Sequence, residues 1–366
     1  MNGDKGDDDE KNSRPLPLQD LRKWISSEKT YAWIEEDDRK QAEFQKELEA
    51  EGTATNMFDD EDDSDDENEF PRVQEWTSSP TNPDGIGGYH PNKCTIDGEK
   101  EEDDAAAAAA AAAITIVFIL SESYDGFGDT LWASARHIAN QLAEPTKCRE
   151  LLSPLLSSEN DDHRHPLWGK SFVELGAGAG VPSWAAMRCG ARVVCTDLAS
   201  ANRIRCIAEC IERNVQKIKK DEEEEENNNS NGRKLLQYAE QARACPHEWG
   251  TLVDEVVESL NHPSSVDNDE RCWFDVLVAA DCCYMPWCHA ELLDSIHALL
   301  HPEKGVALIP FALHGNTEDD DVWGIVEMAK EKGFEVEQLP TQQLTPPGKA
   351  MEAKQGLVHT LRLTKR

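Results

Sequence analysis

The sequence predicts an α/β fold on a mainly parallel sheet, with helices on both faces and an antiparallel hairpin at one edge. Three observations carry that expectation. Short β-branched, apolar runs such as SFVEL, ARVVCTD and FDVLVAAD alternate with stretches of helical spacing, the pattern of βαβ units. A glycine turn, Gly176-Ala177-Gly178-Ala179-Gly180, leads one such run straight into an apolar helical stretch. The last helical stretch is followed by two strand-like runs, FEVEQL and LVHTLRL, with no helix between them. Strands joined without a crossover helix pair antiparallel.

The elements follow in order. Residues 1–104 hold 32 of the 72 acidic residues and 12 of the 37 basic ones, with low-complexity runs such as Asp59 to Glu69. So little apolar surface cannot offset chain entropy, and a largely disordered acidic arm is expected. Within it, residues 17–50 carry helical spacing through Leu21, Trp24, Ile25, Trp33, Ile34 and Phe44. The alanine run Ala105 to Ala113 reads as a repeat expansion, compatible with helix.

A single domain is expected over 105–366. ITIVFIL reads as a buried strand, and TLWASARHIANQL places Leu131, Ala135, Ile138 and Leu142 on one helical face. After a polar insertion (Ser157 to His165) come SFVEL, the glycine turn, the helix VPSWAAMRCGA, the strand ARVVCTD and a helix over Ser200 to Val215. An acidic and Asn-rich insertion, Asp221 to Gly232, reads as a solvated excursion. A further strand is expected near Leu252 or before His247. FDVLVAAD, HAELLDSIHALL, GVALIPFAL, DDDVWGIVEMAKEKG and the closing strand pair complete the domain.

Composition excludes several classes. A formal net charge of −35 gives no basic surface for tracking phosphates; a basic protein partner fits better. The N-terminus lacks the apolar core of a secretory signal. The longest near-apolar stretch, Ala105 to Leu120, falls short of the ~20 residues that cross a bilayer. A cytosolic monomer that binds neither nucleic acid nor membrane is expected. Eleven cysteines without CxxC spacing read as reduced thiols.

The glycine turn sits where a strand ends and a helix begins, the place where doubly wound sheets bind ligands. Its spacing is GxGxG, with Val181 where a dinucleotide fingerprint has its third glycine, which argues against NAD. Glu174 precedes the turn, and a carboxylate there suits a ligand with a cationic amino-acid portion. Asp197 ends the next strand, placed to accept hydrogen bonds from both hydroxyls of a ribose. Strand, turn, helix, strand and acid together point to S-adenosylmethionine.

With these motifs the chain resembles the seven-strand, Rossmann-like S-adenosylmethionine-dependent methyltransferases, and within them the lysine methyltransferase family. The matching segments are Leu131-Trp132, FVELGAGAGVPS, GARVVCTD, His247-Glu248-Trp249-Gly250 and FDVLVAADCCY. VPS after the glycines, the spacing from Asp281 through Tyr284 to His289, and His314 are similar to the nicotinamide N-methyltransferase-like branch, which includes fungal N-terminal and lysine methyltransferases of elongation factor 1A. The resemblance implies a seven-stranded sheet and cofactor contacts at Trp132, Gly176, Ala177, Gly178, Asp197, Trp249 and Ala280. Where the branch usually has Tyr-Pro-Asp after the ribose acid this chain has Leu198-Ala199-Ser200, and Met285 and His314-Gly315-Asn316 also depart from it.

Asp281 and Tyr284 follow a strand end and so belong at the catalytic rim. A lysine amine, with an ordinary pKa near ~10.4, must lose a proton before it attacks a sulfonium methyl. Asp281 is expected to orient the incoming ammonium, Tyr284 to bond to it or wall its channel, and His289 or His314 to accept the proton. Cys282, Cys283, Cys288 and His289 hint at zinc, but adjacent strand-end cysteines point to opposite faces and no metal is expected. The leading function is N-methylation of a lysine or N-terminal amine on a basic, elongation-factor-like protein. The alternatives are a small-molecule, nicotinamide-like acceptor and a non-catalytic cofactor-binding scaffold.

Overall fold

The structure, a computed structural model, describes residues 15–50, 73–79, 82, 84, 88–90, 113–120, 131–156, 164–225, 232–260, 273–314, 318–344 and 356–366. The acidic run at 59–69 lies outside the described residues, as do 105–112 of the alanine run, 157–163 and 226–231 of the two insertions, and residues 315–317.

In chain order the elements are α1 (Leu18–Leu21), α2 (Glu28–Ala50), β1 (Val73–Thr77), β2 (Gly88–His90), β3 (Thr115–Ile119), α3 (Ala133–Ala143) and α4 (Pro145–Leu151). Next come β4 (Ser171–Glu174), α5 (Val181–Arg188), β5 (Arg192–Asp197), α6 (Ala201–Glu225), α7 (Gly232–Ala239), β6 (Arg243–Pro246), α8 (Asp254–Leu260) and β7 (Val276–Val278). The chain closes with α9 (His289–Leu299), β8 (Val306–Ala312), α10 (Asp319–Trp323), α11 (Ile325–Glu331), β9 (Phe334–Gln338), β10 (Gln342–Gln343) and β11 (Leu357–Lys365).

The main sheet runs β10-β11-β8-β7-β4-β5-β6, with β9 also on β11. β4 to β8 are mutually parallel. β11 inserts antiparallel between β8 and β9, so that Leu363 faces Ala307 on one side and Val336 on the other. Two-residue β10 brings the count to eight where seven strands are expected.

Strand residues alternate between two cores, as a parallel sheet covered on both faces requires. Phe172, Val193 and Val276 pack with Ile138, Trp184 and Ile207. Val173, Val194 and Leu277 pack with Val256, Leu292 and Ile325 on the opposite face. The helical stretch over 319–331 divides at Gly324. The strand expected near Leu252 or before His247 is β6, before His247.

Two regions depart from expectation. ITIVFIL forms a strand, β3, but in a separate antiparallel sheet with β1 and β2. Its free edge is closed by a side chain: Asn214 of α6 accepts from the Val117 N–H (2.9 Å) and donates to the Val117 carbonyl (2.6 Å).

The arm over 1–104 is not disordered throughout. Leu21, Trp24, Ile34 and Trp76 are buried in the main core. Ile25 bridges β6 at Ala244, so this segment covers the edge of the sheet. The Glu255 carboxylate of α8 accepts from Ser26 Oγ (2.6 Å), Ser27 Oγ (2.7 Å) and Thr30 Oγ1 (2.5 Å). A few aromatic and aliphatic anchors, each worth roughly 1.5–3 kcal/mol on burial, order a segment whose average composition is polar. No described helix is long and apolar enough to cross a membrane.

Candidate active site

Because β4 to β8 run in parallel, their carboxyl ends meet on one side of the sheet. The loops that follow them enclose a cavity of about 930 Å³, within the range of small-molecule sites.

The glycine turn is dictated by close approach. Gly176 has φ +62, and a Cβ there would lie 2.9 Å from Cys282 Sγ and 3.0 Å from the Trp249 ring. Gly180 has φ +66, and a Cβ would lie 2.7 Å from the indole of Trp184, whose Nε1–H donates to the Ala179 carbonyl. Only glycine adopts both conformations without a clash. The turn is also tied to the neighbouring strand, with Ala177 N–H donating to the Thr196 carbonyl at 3.0 Å.

Asp197 ends β5 facing the cavity and is buried. Its Oδ2 accepts from Gly178 N–H (2.6 Å); its Oδ1 accepts from Leu198 N–H (2.7 Å) and Arg203 Nη1 (3.1 Å). A carboxylate offers about four lone-pair directions, so one remains for a ribose hydroxyl and Arg203 must yield for a second. Arg203, on the first turn of α6, escaped the sequence reading because nothing local marks it.

Trp249 is set by α9. Ser295 Oγ accepts from Gly250 N–H (2.8 Å) and lies 3.0 Å from His247 Nε2. Burial pulls His247 down to about 4, so the ring is neutral and its Nε2 pairs with the serine hydroxyl. Trp132, Gly176, Ala177, Gly178, Asp197, Trp249, Ala280, Asp281, Tyr284 and His314 all line the cavity.

Two expected site residues do not. Glu174 is buried at the end of β4, where its Oε2 accepts from both Ser183 N–H (2.9 Å) and Ser183 Oγ in the first turn of α5. Burial pushes its carboxyl up to about 8 despite those donors; it braces the strand–helix joint and presents no charge to a ligand. His289 is buried at the start of α9 with Nε2 3.0 Å from the Cys283 carbonyl. It fixes the turn that carries Tyr284.

Asp281 adopts φ +53, the one non-glycine residue at positive φ among those described. The left-handed backbone turns its carboxylate away from a capping role and across to α3 and β8. Oδ2 accepts from Ser134 Oγ, and Oδ1 accepts from Ala312 N–H (3.1 Å) and His314 Nε2 (3.2 Å). The Trp132 ring packs edge-on against His314, centroids 4.8 Å apart. Burial pushes the Tyr284 hydroxyl up to about 12. Cys282 Sγ is directed at the Leu175 carbonyl (3.3 Å). Among the described residues no three His, Cys, Asp or Glu side chains are grouped to hold a metal ion.

The donor set fits S-adenosylmethionine: a close-approach glycine turn, a buried carboxylate with an open lone pair, and the rigid aromatic face of Trp249.

No protein-family model matches the chain. It is 28% identical over 209 residues to the protein N-terminal and lysine N-methyltransferase EFM7 of Gibberella zeae, covering 56% of this chain and 72% of that protein. A Streptococcus mutans structure described as an S-adenosylmethionine-dependent methyltransferase aligns at 14% identity and TM-score 0.40, over 68% of this chain and about half (53%) of that one. A TehB-like S-adenosylmethionine-dependent methyltransferase from Corynebacterium glutamicum aligns at 19% identity and TM-score 0.31, over 54% of this chain and 82% of that one. By its own parallel sheet covered with helices the chain is a Rossmann-like α/β protein, and in sequence it is similar to a protein N-terminal and lysine N-methyltransferase.

Proposed function

We propose that this chain is an S-adenosylmethionine-dependent protein N-methyltransferase acting on a lysine or N-terminal amine of a basic, elongation-factor-like protein. The observation that carries the reading is a single cavity in which the glycine turn, the Asp197 carboxylate and Trp249 face the polar cluster of Asp281, Tyr284 and His314. The activity in the name of the Gibberella zeae relative supports it.

In this reading Gly176, Ala177 and Gly178 let the main chain approach the cofactor, Asp197 takes a ribose hydroxyl, and Trp249 packs on the adenine. Trp132 and Ala280 close the methionine portion. When bound, the cofactor supplies a methyl group on a sulfonium sulfur. The chain's own part is to bring an amine lone pair into line with that methyl, an orientation worth up to ~7–11 kcal/mol. Tyr284, kept protonated, walls the acceptor channel and donates a hydrogen bond.

Transfer of labelled methyl from S-adenosylmethionine into a cell extract, resolved by size, tests this. A labelled protein band is expected. Label confined to the small-molecule fraction would replace the protein acceptor with a nicotinamide-like one, and cofactor binding without any label would favour the scaffold reading.

A further inference from the structure

We infer that His314 takes the proton from the acceptor ammonium, and that Asp281 and Ser134 are positioning residues that hold its ring for that purpose. This rests on the methyl-transfer reading above and assigns the proton, which that reading leaves open.

The assignment follows from where the hydrogens sit. Both oxygens of Asp281 are acceptors already in use, for Ser134 Oγ on one side and for Ala312 N–H and His314 Nε2 on the other. As at Asp197, three donors leave that carboxylate about one lone-pair direction, and its Oδ1 is committed to Ala312 and His314. The carboxylate requires the His314 hydrogen to be on Nε2, which leaves the Nδ1 lone pair as the basic site. The Trp132 ring restrains the imidazole edge-on. Asp281 itself is pinned by its own N–H to the Pro310 carbonyl at 2.8 Å and by a left-handed backbone. Strained, over-determined residues of this kind cluster at functional sites.

Other groups in the cavity are less suited. The Tyr284 hydroxyl holds its proton and His247 gives its Nε2 to Ser295. Asp197 is occupied by Gly178, Leu198 and Arg203. Of the other ionisable side chains on the cavity, Arg203, Glu248, Glu291 and the thiols of Cys282 and Cys288 make no bond to His314, and Asp281 is the one that does.

The step balances. An N–H bond of the ammonium breaks, and its electron pair stays on nitrogen as the lone pair that is alkylated. The proton passes to Nδ1, giving an imidazolium whose Nε2–H still faces the buried carboxylate, and then leaves to water.

His314→Gln separates this role from a structural one, because its amide can still donate to Asp281 but carries no base at the Nδ1 position. It should lower kcat by roughly 10²-fold or more with cofactor Kd within about threefold by calorimetry. Its rate should depend more steeply on hydroxide than that of wild type. A readout free of turnover is the side-chain ¹⁵N spectrum of the histidines in cofactor-free protein. His314 should be the Nε2–H tautomer, and Asp281→Asn should erode that preference. Unchanged kcat and pH profile in His314→Gln, or an Nδ1–H tautomer in wild type, would overturn the inference. Wild-type protein that moves no methyl to any acceptor would instead overturn the parent reading.

Discussion

Two walls of the cavity are built by different means. The wall formed by Gly176 to Gly180 is shaped by main chain: the Ala177 N–H bonds to the Thr196 carbonyl of β5, the Gly178 N–H bonds to the Asp197 carboxylate at its end, and glycines admit Cys282, Trp249 and Trp184 at contact distance. The wall formed by Asp281 is side chain: a carboxylate gathers Ser134 from α3, Ala312 from β8 and His314 beyond it. A backbone-built wall tolerates little substitution. A side-chain wall can lose one member and stay folded, while its chemistry changes. That is the division expected if one wall holds a cofactor and the other handles a proton.

The largest expected effect breaks the backbone wall. Gly176→Val forces a β-branched residue to positive φ and a Cβ against Cys282. The two penalties, ~1–2 kcal/mol for the left-handed conformation and ~1–3 kcal/mol for overpacking, should appear in chemical denaturation, with cofactor binding lost in calorimetry. Retention of wild-type affinity would refute the close-approach argument.

Next comes Glu174, whose folded-state carboxyl is raised to about 8 from an ordinary 4.5. Below about pH 4.5 both folded and unfolded forms are protonated and the contribution is intact. As pH rises the unfolded chain ionises first, so stability falls progressively up to about pH 8, by on the order of a few kcal/mol. Glu174→Gln removes that slope. Thermal melts of the two proteins between pH 5 and 8.5 should converge at the acid end and separate, in the variant's favour, toward the basic end. Parallel curves would mean the carboxyl is solvated.

Ser134→Ala tests the other wall. Removing one donor from the buried Asp281 carboxylate should lower stability by roughly 1–3 kcal/mol and methyl transfer by about tenfold, with cofactor Kd within a few-fold. Matched losses in affinity and turnover would merge the two walls into one.

The smallest effect belongs to the N-terminal cover. Burial raises the Glu255 carboxyl, but the hydroxyls of Ser26, Thr30 and Ser27 bring it below the ordinary range. Its contribution is therefore present above the ordinary carboxylate pKa and lost as pH falls. That sign is opposite to Glu174. Glu255→Gln should lower the melting temperature by a few degrees at neutral pH, and by less at pH 4.

Legibility followed locality. The glycine turn could be read because its causes lie within a few residues, at a strand end and a helix start. Asp197, Asp281 and Tyr284 could be placed at the cavity because residues just past parallel strand ends meet there. What Asp281 does could not be read, since its Ser134 partner lies 147 positions away. Glu174 and His289 lie off the cavity for the converse reason: a residue beside a site in sequence can be buried behind it. Leu21, Trp24, Ile25 and Ile34 could be picked out of the arm by their helical spacing, but that they are buried against the main core could not.

The sequence by itself determined the alternation of strands and helices, the strand-terminal glycine turn and the acids that face the cavity. These depend on side-chain periodicity and backbone conformation, which act over a turn or a strand. Tertiary structure alone decided that ITIVFIL joins β1 instead of the main sheet, that the N-terminal segment covers the β6 edge, and that the Asp281 carboxylate serves His314. Each of those depends on which distant chain segment supplies the hydrogen-bond partner, and no local pattern of residues encodes that choice.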